Sequence, residues 1–102
     1  MSSIIFINVF TMEPANQQRV VDLLTAATDG PVRDARGFLG STLHRSLDGT
    51  KVTMYAEWAS REAYDAMRGD PAPLPFFEEA LTIASFDPGA YEIVRRFEPR
   101  ES

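Results

Sequence analysis

Residues Phe38 to Trp58 read FLGSTLHRSLDGTKVTMYAEW, two stretches of strand-forming residues on either side of Asp48-Gly49. An Asp-Gly pair supplies the positive φ angles of a tight hairpin turn, so the flanking stretches are predicted to pair as antiparallel strands. With Asp48 and Gly49 as the loop, Leu47 pairs with Thr50, Arg45 with Val52, Leu43 with Met54, Thr42 with Tyr55 and Leu39 with Trp58. Paired residues share a face of the sheet. Val52, Met54, Ala56 and Trp58 then lie with Leu39, Ser41, Leu43 and Arg45, while His44 lies opposite with Thr53, Tyr55 and Glu57. Helices need an apolar surface to pack on, so the Met54/Trp58 face is expected to carry them and His44 to point the other way.

Downstream of the hairpin, Ser60 is placed to cap a short helix through Ala63, Tyr64, Ala66 and Met67, which Gly69-Asp70-Pro71 must stop. Pro73 and Pro75 then introduce a second helical piece with Phe76, Phe77, Ala80, Leu81 and Ala84 as its apolar stripe. Ser85 to Gly89 reads as a loop, and the alternation from Tyr91 to Phe97 reads as the last strand. Upstream, Ser3 to Met12 is almost wholly β-branched or aromatic, a buried strand. Glu13-Pro14 opens a helix through Val20, Leu23, Leu24 and Ala27 that Asp29-Gly30-Pro31 ends.

The order strand, helix, strand, strand, helix pair, strand is that of the α+β ferredoxin-like βαββαβ fold, an antiparallel sheet with helices on one face. One domain is expected over residues 1–102, with no repeat and no linker. The first strand is apolar on both faces, through Ile5, Ile7 and Val9 on one and Ile4, Phe6 and Phe10 on the other. Helices can cover only one, so the sheet is expected to meet a second copy in a homodimer.

Composition narrows the chemistry. The chain has 10 Lys+Arg against 15 Asp+Glu, a net charge of −5, and the basic residues are scattered. That pattern speaks against a nucleic-acid partner. Without a long apolar run or targeting signal, a cytoplasmic protein with no membrane partner is expected. No cysteine and a single histidine leave no thiolate nucleophile and no typical zinc or iron site, so no metal is expected. The glycines form no nucleotide fingerprint and no nucleophile elbow.

Four residues are left as candidates. Trp58, the only tryptophan, is either a core anchor or a pocket wall. Asn8 places a carboxamide in the row of Ile4, Phe6 and Phe10, where it must find a backbone partner or face a polar ligand. Tyr64, on the first turn of the helix after Trp58, could line the same cavity and offer a phenolic donor. His44 alone titrates near neutrality and is the natural general base, or else a structural strand residue.

The runs Phe6-Ile7-Asn8-Val9-Phe10-Thr11, Gly37-Phe38 through Leu43-His44-Arg45-Ser46-Leu47-Asp48-Gly49-Thr50, and Tyr55-Ala56-Glu57-Trp58 with Ser60-Arg61-Glu62-Ala63 resemble the antibiotic biosynthesis monooxygenase family. The resemblance runs from Ile4 to Phe97 and is greatest to the small cofactor-independent anthrone oxygenases of aromatic polyketide pathways. It implies a dimeric α+β barrel with a pocket in each subunit between helices and sheet. It also implies oxidation of an anthrone to a quinone by molecular oxygen, with no metal and no bound flavin; nothing in the sequence calls for reduced flavin from a partner. By the same resemblance Trp58, Asn8, Tyr64 and His44 match catalytic positions, and Met54, Phe6, Leu43, Phe77 and Met67 are expected to hold the substrate. Two departures stand out. Met54 occupies the position where these oxygenases carry an asparagine, and Phe76-Phe77-Glu78-Glu79 offers no basic residue where the family often has one. The alternative function is a member that binds a polyketide or quinone, or cyclises or isomerises it, without oxidation.

Overall fold

A computed structural model describes residues 3–100. Strand β1 (Ile4–Met12) leads through a 3-10 turn (Pro14–Asn16) into helix α1 (Gln17–Ala27). The hairpin β2 (Phe38–Arg45) and β3 (Lys51–Trp58) follows, then α2 (Arg61–Arg68), α3 (Leu74–Ile83) and β4 (Ala84–Tyr91). The sheet order is β2-β3-β1-β4 with every neighbouring pair antiparallel, the ferredoxin-like arrangement. Among the described residues no helix is long and apolar enough to cross a membrane.

The hairpin keeps the expected pairing of Arg45 with Val52, Leu43 with Met54 and Thr42 with Tyr55. Its two ends differ from expectation. Opposite Trp58 stands Phe38, not Leu39, because a bulge lies between Phe38 and Gly40. Leu39 is the extra residue and is exposed. At the turn the ladder stops at Arg45, and Leu47 and Thr50 do not pair. Only Gly49 takes a positive φ, of 83°. Its N–H donates to the Ser46 carbonyl, and the Asp48 carboxylate accepts from the Thr50 N–H (3.0 Å), the Thr50 hydroxyl (2.7 Å) and the Ser46 hydroxyl (2.8 Å). These donors hold the Asp48 carboxyl down to about 2.

The largest correction concerns the last strand. β4 begins straight after α3 and runs through Phe86, Pro88 and Gly89, the residues read as a loop, and ends at Tyr91. The free edge of β1 explains this, since it takes a partner from Ile5 opposite Tyr91 to Met12 opposite Ala84. Pro88 is tolerated because β4 is an edge strand, where one N–H can be missing without breaking a ladder on its outer side. Beyond Tyr91 the alternating segment has no regular structure and leaves Ile93, Val94 and Phe97 exposed.

All three helices cover the Met54/Trp58 face. There Phe6, Phe10, Val52, Met54, Ala56 and Trp58 of the sheet meet Val20, Leu24 and Met67 of the helices in one core. On the outer face Ile5 is buried, Ile7, Val9 and Tyr55 are half-buried, and the Tyr91 ring folds back over Gly89.

Candidate active site

Between sheet and helices lies a narrow, mostly apolar slot with room for a few water molecules, about 60 Å³. Its floor is built by the alternation of the central strands: Asn8 and Phe10 of β1, and Met54, Ala56 and Trp58 of β3. α2 hangs over one end and contributes Tyr64, Met67 and Arg68, while α3 closes another with Phe77 and Leu81.

The position of α2 follows from its start. The Ser60 hydroxyl accepts from the Ala63 N–H at 3.1 Å, the expected cap. The Ala59 N–H donates to the Gly37 carbonyl at 2.8 Å. Gly37 has φ 86°, and a Cβ there would stand 2.5 Å from the Ala63 Cβ, so only glycine lets α2 approach β2 this closely.

The aromatic residues interlock. Trp58, 1% exposed, meets Phe38 edge-on at 5.2 Å and Tyr64 edge-on at 5.9 Å between ring centroids. Tyr64 lies flat on Phe6, with centroids 3.6 Å apart and planes 12° from parallel. Phe6 is therefore the backing of Tyr64, not a wall of the slot, and in this it departs from the substrate-holding position expected of it.

Polar groups in the slot are few. Asn8 stands directly opposite Met54 in the β1–β3 ladder and opposite Pro88 in the β1–β4 ladder. Among the described residues, the Asn8 Oδ1 atom is the one buried side-chain nitrogen or oxygen without a hydrogen-bond partner. Buried polar atoms are nearly always paired, so this acceptor is open to a donor that enters the slot. Arg68 is the second feature, and the sequence reading missed it. Its Nη1 donates to the Tyr64 hydroxyl at 3.2 Å. Arginine has no acceptor, so the phenol must aim its own proton elsewhere. Arg68 thus puts a cation at the slot from α2, where Phe76-Phe77-Glu78-Glu79 has none, and the i,i+4 spacing of Tyr64 and Arg68 was the signal that could have found it.

Of the expected site residues, Trp58, Asn8, Tyr64, Met54, Phe77 and Met67 come together around the slot. Leu43 lines a neighbouring groove instead. His44 is not brought to the slot at all. Strand alternation turns it to the outer face, where it is exposed and its Nδ1 lies 3.3 Å from the Thr53 carbonyl, which leaves it out of reach as a base for chemistry in the slot. No carboxylate, imidazole or amine lines the slot, and among the described residues no cluster of three or more His, Asp or Glu could hold a metal ion.

Comparison with known proteins places this geometry in context. Residues 3–78 match the family model described as antibiotic biosynthesis monooxygenase. The chain is 33% identical over 91 residues to the tetracenomycin-F1 monooxygenase of Streptomyces glaucescens, covering 89% of this chain and 81% of that protein. A solved monooxygenase from the gene ActVA-Orf6 of Streptomyces coelicolor, in complex with nanaomycin D, is 30% identical, with a TM-score of 0.75 over 99% of this chain and 94% of its own. SnoaB, a cofactor-independent oxygenase from Streptomyces nogalater, shares the fold at 23% identity and a TM-score of 0.76, covering 98% of this chain and 100% of its own.

Proposed function

The chain belongs to the antibiotic biosynthesis monooxygenase family, and from that premise we propose that it oxidises an aromatic polyketide of the anthrone type to a quinone with molecular oxygen, without metal or flavin. The observation that carries this reading is the slot itself: apolar and aromatic walls, one unpartnered acceptor on Asn8, and one phenol whose proton Arg68 forces away from itself. The names of the relatives, two of them Streptomyces monooxygenases, support the same reaction class.

An anthrone is a carbon acid whose anion gains a third aromatic ring, so the substrate supplies its own electrons. No base lines the slot, and the methylene proton passes to water as the substrate enters. The Tyr64 hydroxyl, with the Trp58 indole N–H as second donor, holds the enolate oxygen and favours the anion. The enolate passes an electron to oxygen, and the two radicals join at the former methylene carbon as a peroxide anion, which takes a proton back from water to become the hydroperoxide. Loss of water completes the quinone. One oxygen atom stays as the new carbonyl, the other leaves with the two methylene hydrogens as water, and no outside reductant is required. Phe77, Met67 and Met54 keep bulk water from the anion and hold the rings flat.

The working unit we propose is a homodimer, in which the outer faces of two sheets, carrying Ile7, Val9 and Tyr55, meet in a closed barrel. Met54 favours a second reading, since a thioether gives no hydrogen bond to an enolate: a protein that binds the flat polyketide without oxidising it. Oxygen uptake decides between them. Purified protein with dithranol in air and no added cofactor is expected to consume oxygen faster than buffer, and Trp58→Phe and Asn8→Ala to slow it. Binding without uptake across several anthrones would favour the second reading.

A further inference from the structure

The slot does not end at Met54. Leucine and hydroxyl side chains continue past it into an open groove of about 560 Å³ between the C-terminal end of α1 and β2. Leu24, Thr28, Phe38, Ser41 and Met54 line both spaces, so slot and groove adjoin. Size forces the question of what lies there. At about 60 Å³ the slot is well below the roughly 300–1,000 Å³ typical of small-molecule sites, and the groove beside it brings the total into that range. A fused-ring ligand seated in the slot has room to extend into the groove.

The groove differs from the slot in chemistry. Its joint offers the hydroxyls of Thr28 and Ser41, and its far end Thr25 and the carboxylate of Asp29. Arg33 is there too, but Nη1 is paired with Asp29 at 2.7 Å, so no unpaired cation waits for an anion. Gly40, at φ 141°, leaves the β2 side open, with no atom within 4 Å of where a Cβ would stand. With Asp29 and Arg33 paired to each other, the hydroxyls of Thr28, Ser41 and Thr25 are the polar groups left, and they suit a neutral, hydroxylated group and not a carboxylate.

We propose that this groove is a second subsite that takes the hydroxylated, non-reacting end of an extended polycyclic substrate, and that Ser41 and Thr28 at the joint set how long that substrate is. The proposal rests on the oxygenase reading for the name of the substrate, but not for its test. Trp58, the only tryptophan, lines the slot, so its fluorescence reports ligand binding whether or not oxidation follows. A hydroxylated tetracyclic quinone is expected to quench it with Kd about tenfold below that of unsubstituted 9,10-anthraquinone, the scale of one or two hydrogen bonds. Ser41→Leu should raise Kd for the tetracyclic ligand and erase the preference. Asp29→Ala, which breaks the pair with Arg33 and leaves a free cation in the groove, should erase part of it. Equal Kd for the two quinones in the unaltered protein, or variants that weaken both alike, would overturn the subsite. Retained preference with no oxygen uptake from any anthrone would overturn the oxygenase reading and leave the subsite standing.

Discussion

Asn8 on β1 and Met54 on β3 stand directly opposite each other, and the carboxamide oxygen of Asn8 is buried there without a hydrogen-bond partner. An unpaired buried acceptor costs stability that a ligand donor can return. The first prediction follows from that cost. Asn8→Leu fills a similar volume with apolar atoms and removes the orphan, so the ligand-free protein should gain about 1–3 kcal/mol in chemical denaturation. The same change should lower oxygen uptake with an anthrone. A variant both less stable and equally active would sink the assignment of Asn8 to the site.

Tyr64 and Arg68 give the second prediction. If Arg68 acts by turning the phenol proton into the slot, its loss matters only while the phenol is present. Tyr64→Phe and Arg68→Met should each lower kcat by about 100-fold, the lower end for an oxyanion donor, and the double variant should fall no further. Arg68→Lys keeps a donor and should recover part of the loss. Additive effects would show that Arg68 works separately, through the C-terminal end of α2.

How much of this was legible in the sequence depends on how local each signal is. The hairpin register followed from the Asp48-Gly49 turn, and the cap at Ser60 from a three-residue spacing; the cap holds, and the register holds from Arg45 to Thr42 but fails at the turn and at the Phe38–Gly40 bulge. β4 was misread for the opposite reason. Asp87-Pro88-Gly89 is a loop by propensity, and only the free edge of β1, distant in sequence, makes it a strand. At the site, Trp58 and Met54 were placed on one face by alternation along β3, whereas Asn8 joins them only through the β1–β3 register. Arg68 was passed over because a charged residue at a helix end reads as solvated, although its i,i+4 spacing from Tyr64 was there to be read.

The hairpin turn carries the third prediction. Asp48 is held down to about 2 by the hydroxyl and N–H of Thr50 and the hydroxyl of Ser46. Its folded value lies below the unfolded one, so its contribution is present above the ordinary carboxylate range and disappears as pH falls through the folded value. The stability difference between the protein and Asp48→Ala should be constant from neutral pH down to about 4 and shrink between there and 2. Denaturation midpoints of both across that range check it, and a carboxyl carbon shift titrating near 4 for Asp48 would contradict it.

The fourth prediction concerns assembly. Ile7 and Val9 lie on the outer face of a central strand, beside Tyr55, with no helix to cover them. Light scattering should return twice the 11.4 kDa of one chain. Ile7→Lys, a charge in the middle of that face, should shift the mass toward the single chain while leaving the helix-side core untouched. A monomer at micromolar concentration would overturn the dimer.

The last prediction returns to Gly37, where fold and site meet. Its φ of 86° is one that side chains rarely adopt, and a Cβ would stand 2.5 Å from the Ala63 Cβ. Gly37→Ala must therefore either strain β2 at its start or push α2 outward. Strain alone costs about 1–3 kcal/mol, to be read as a lower denaturation midpoint. Displacement of α2 has a second consequence, because that helix holds Tyr64 over Phe6 and Arg68 against the Tyr64 hydroxyl. The edge-on contact between Tyr64 and Trp58 then loosens, and the tryptophan emission should move to longer wavelength as the slot admits water. Gly37→Ala should thus lower kcat at temperatures where the variant is fully folded, whereas a variant that loses stability but keeps both emission and kcat would show that α2 is positioned by its apolar face and not by this close approach.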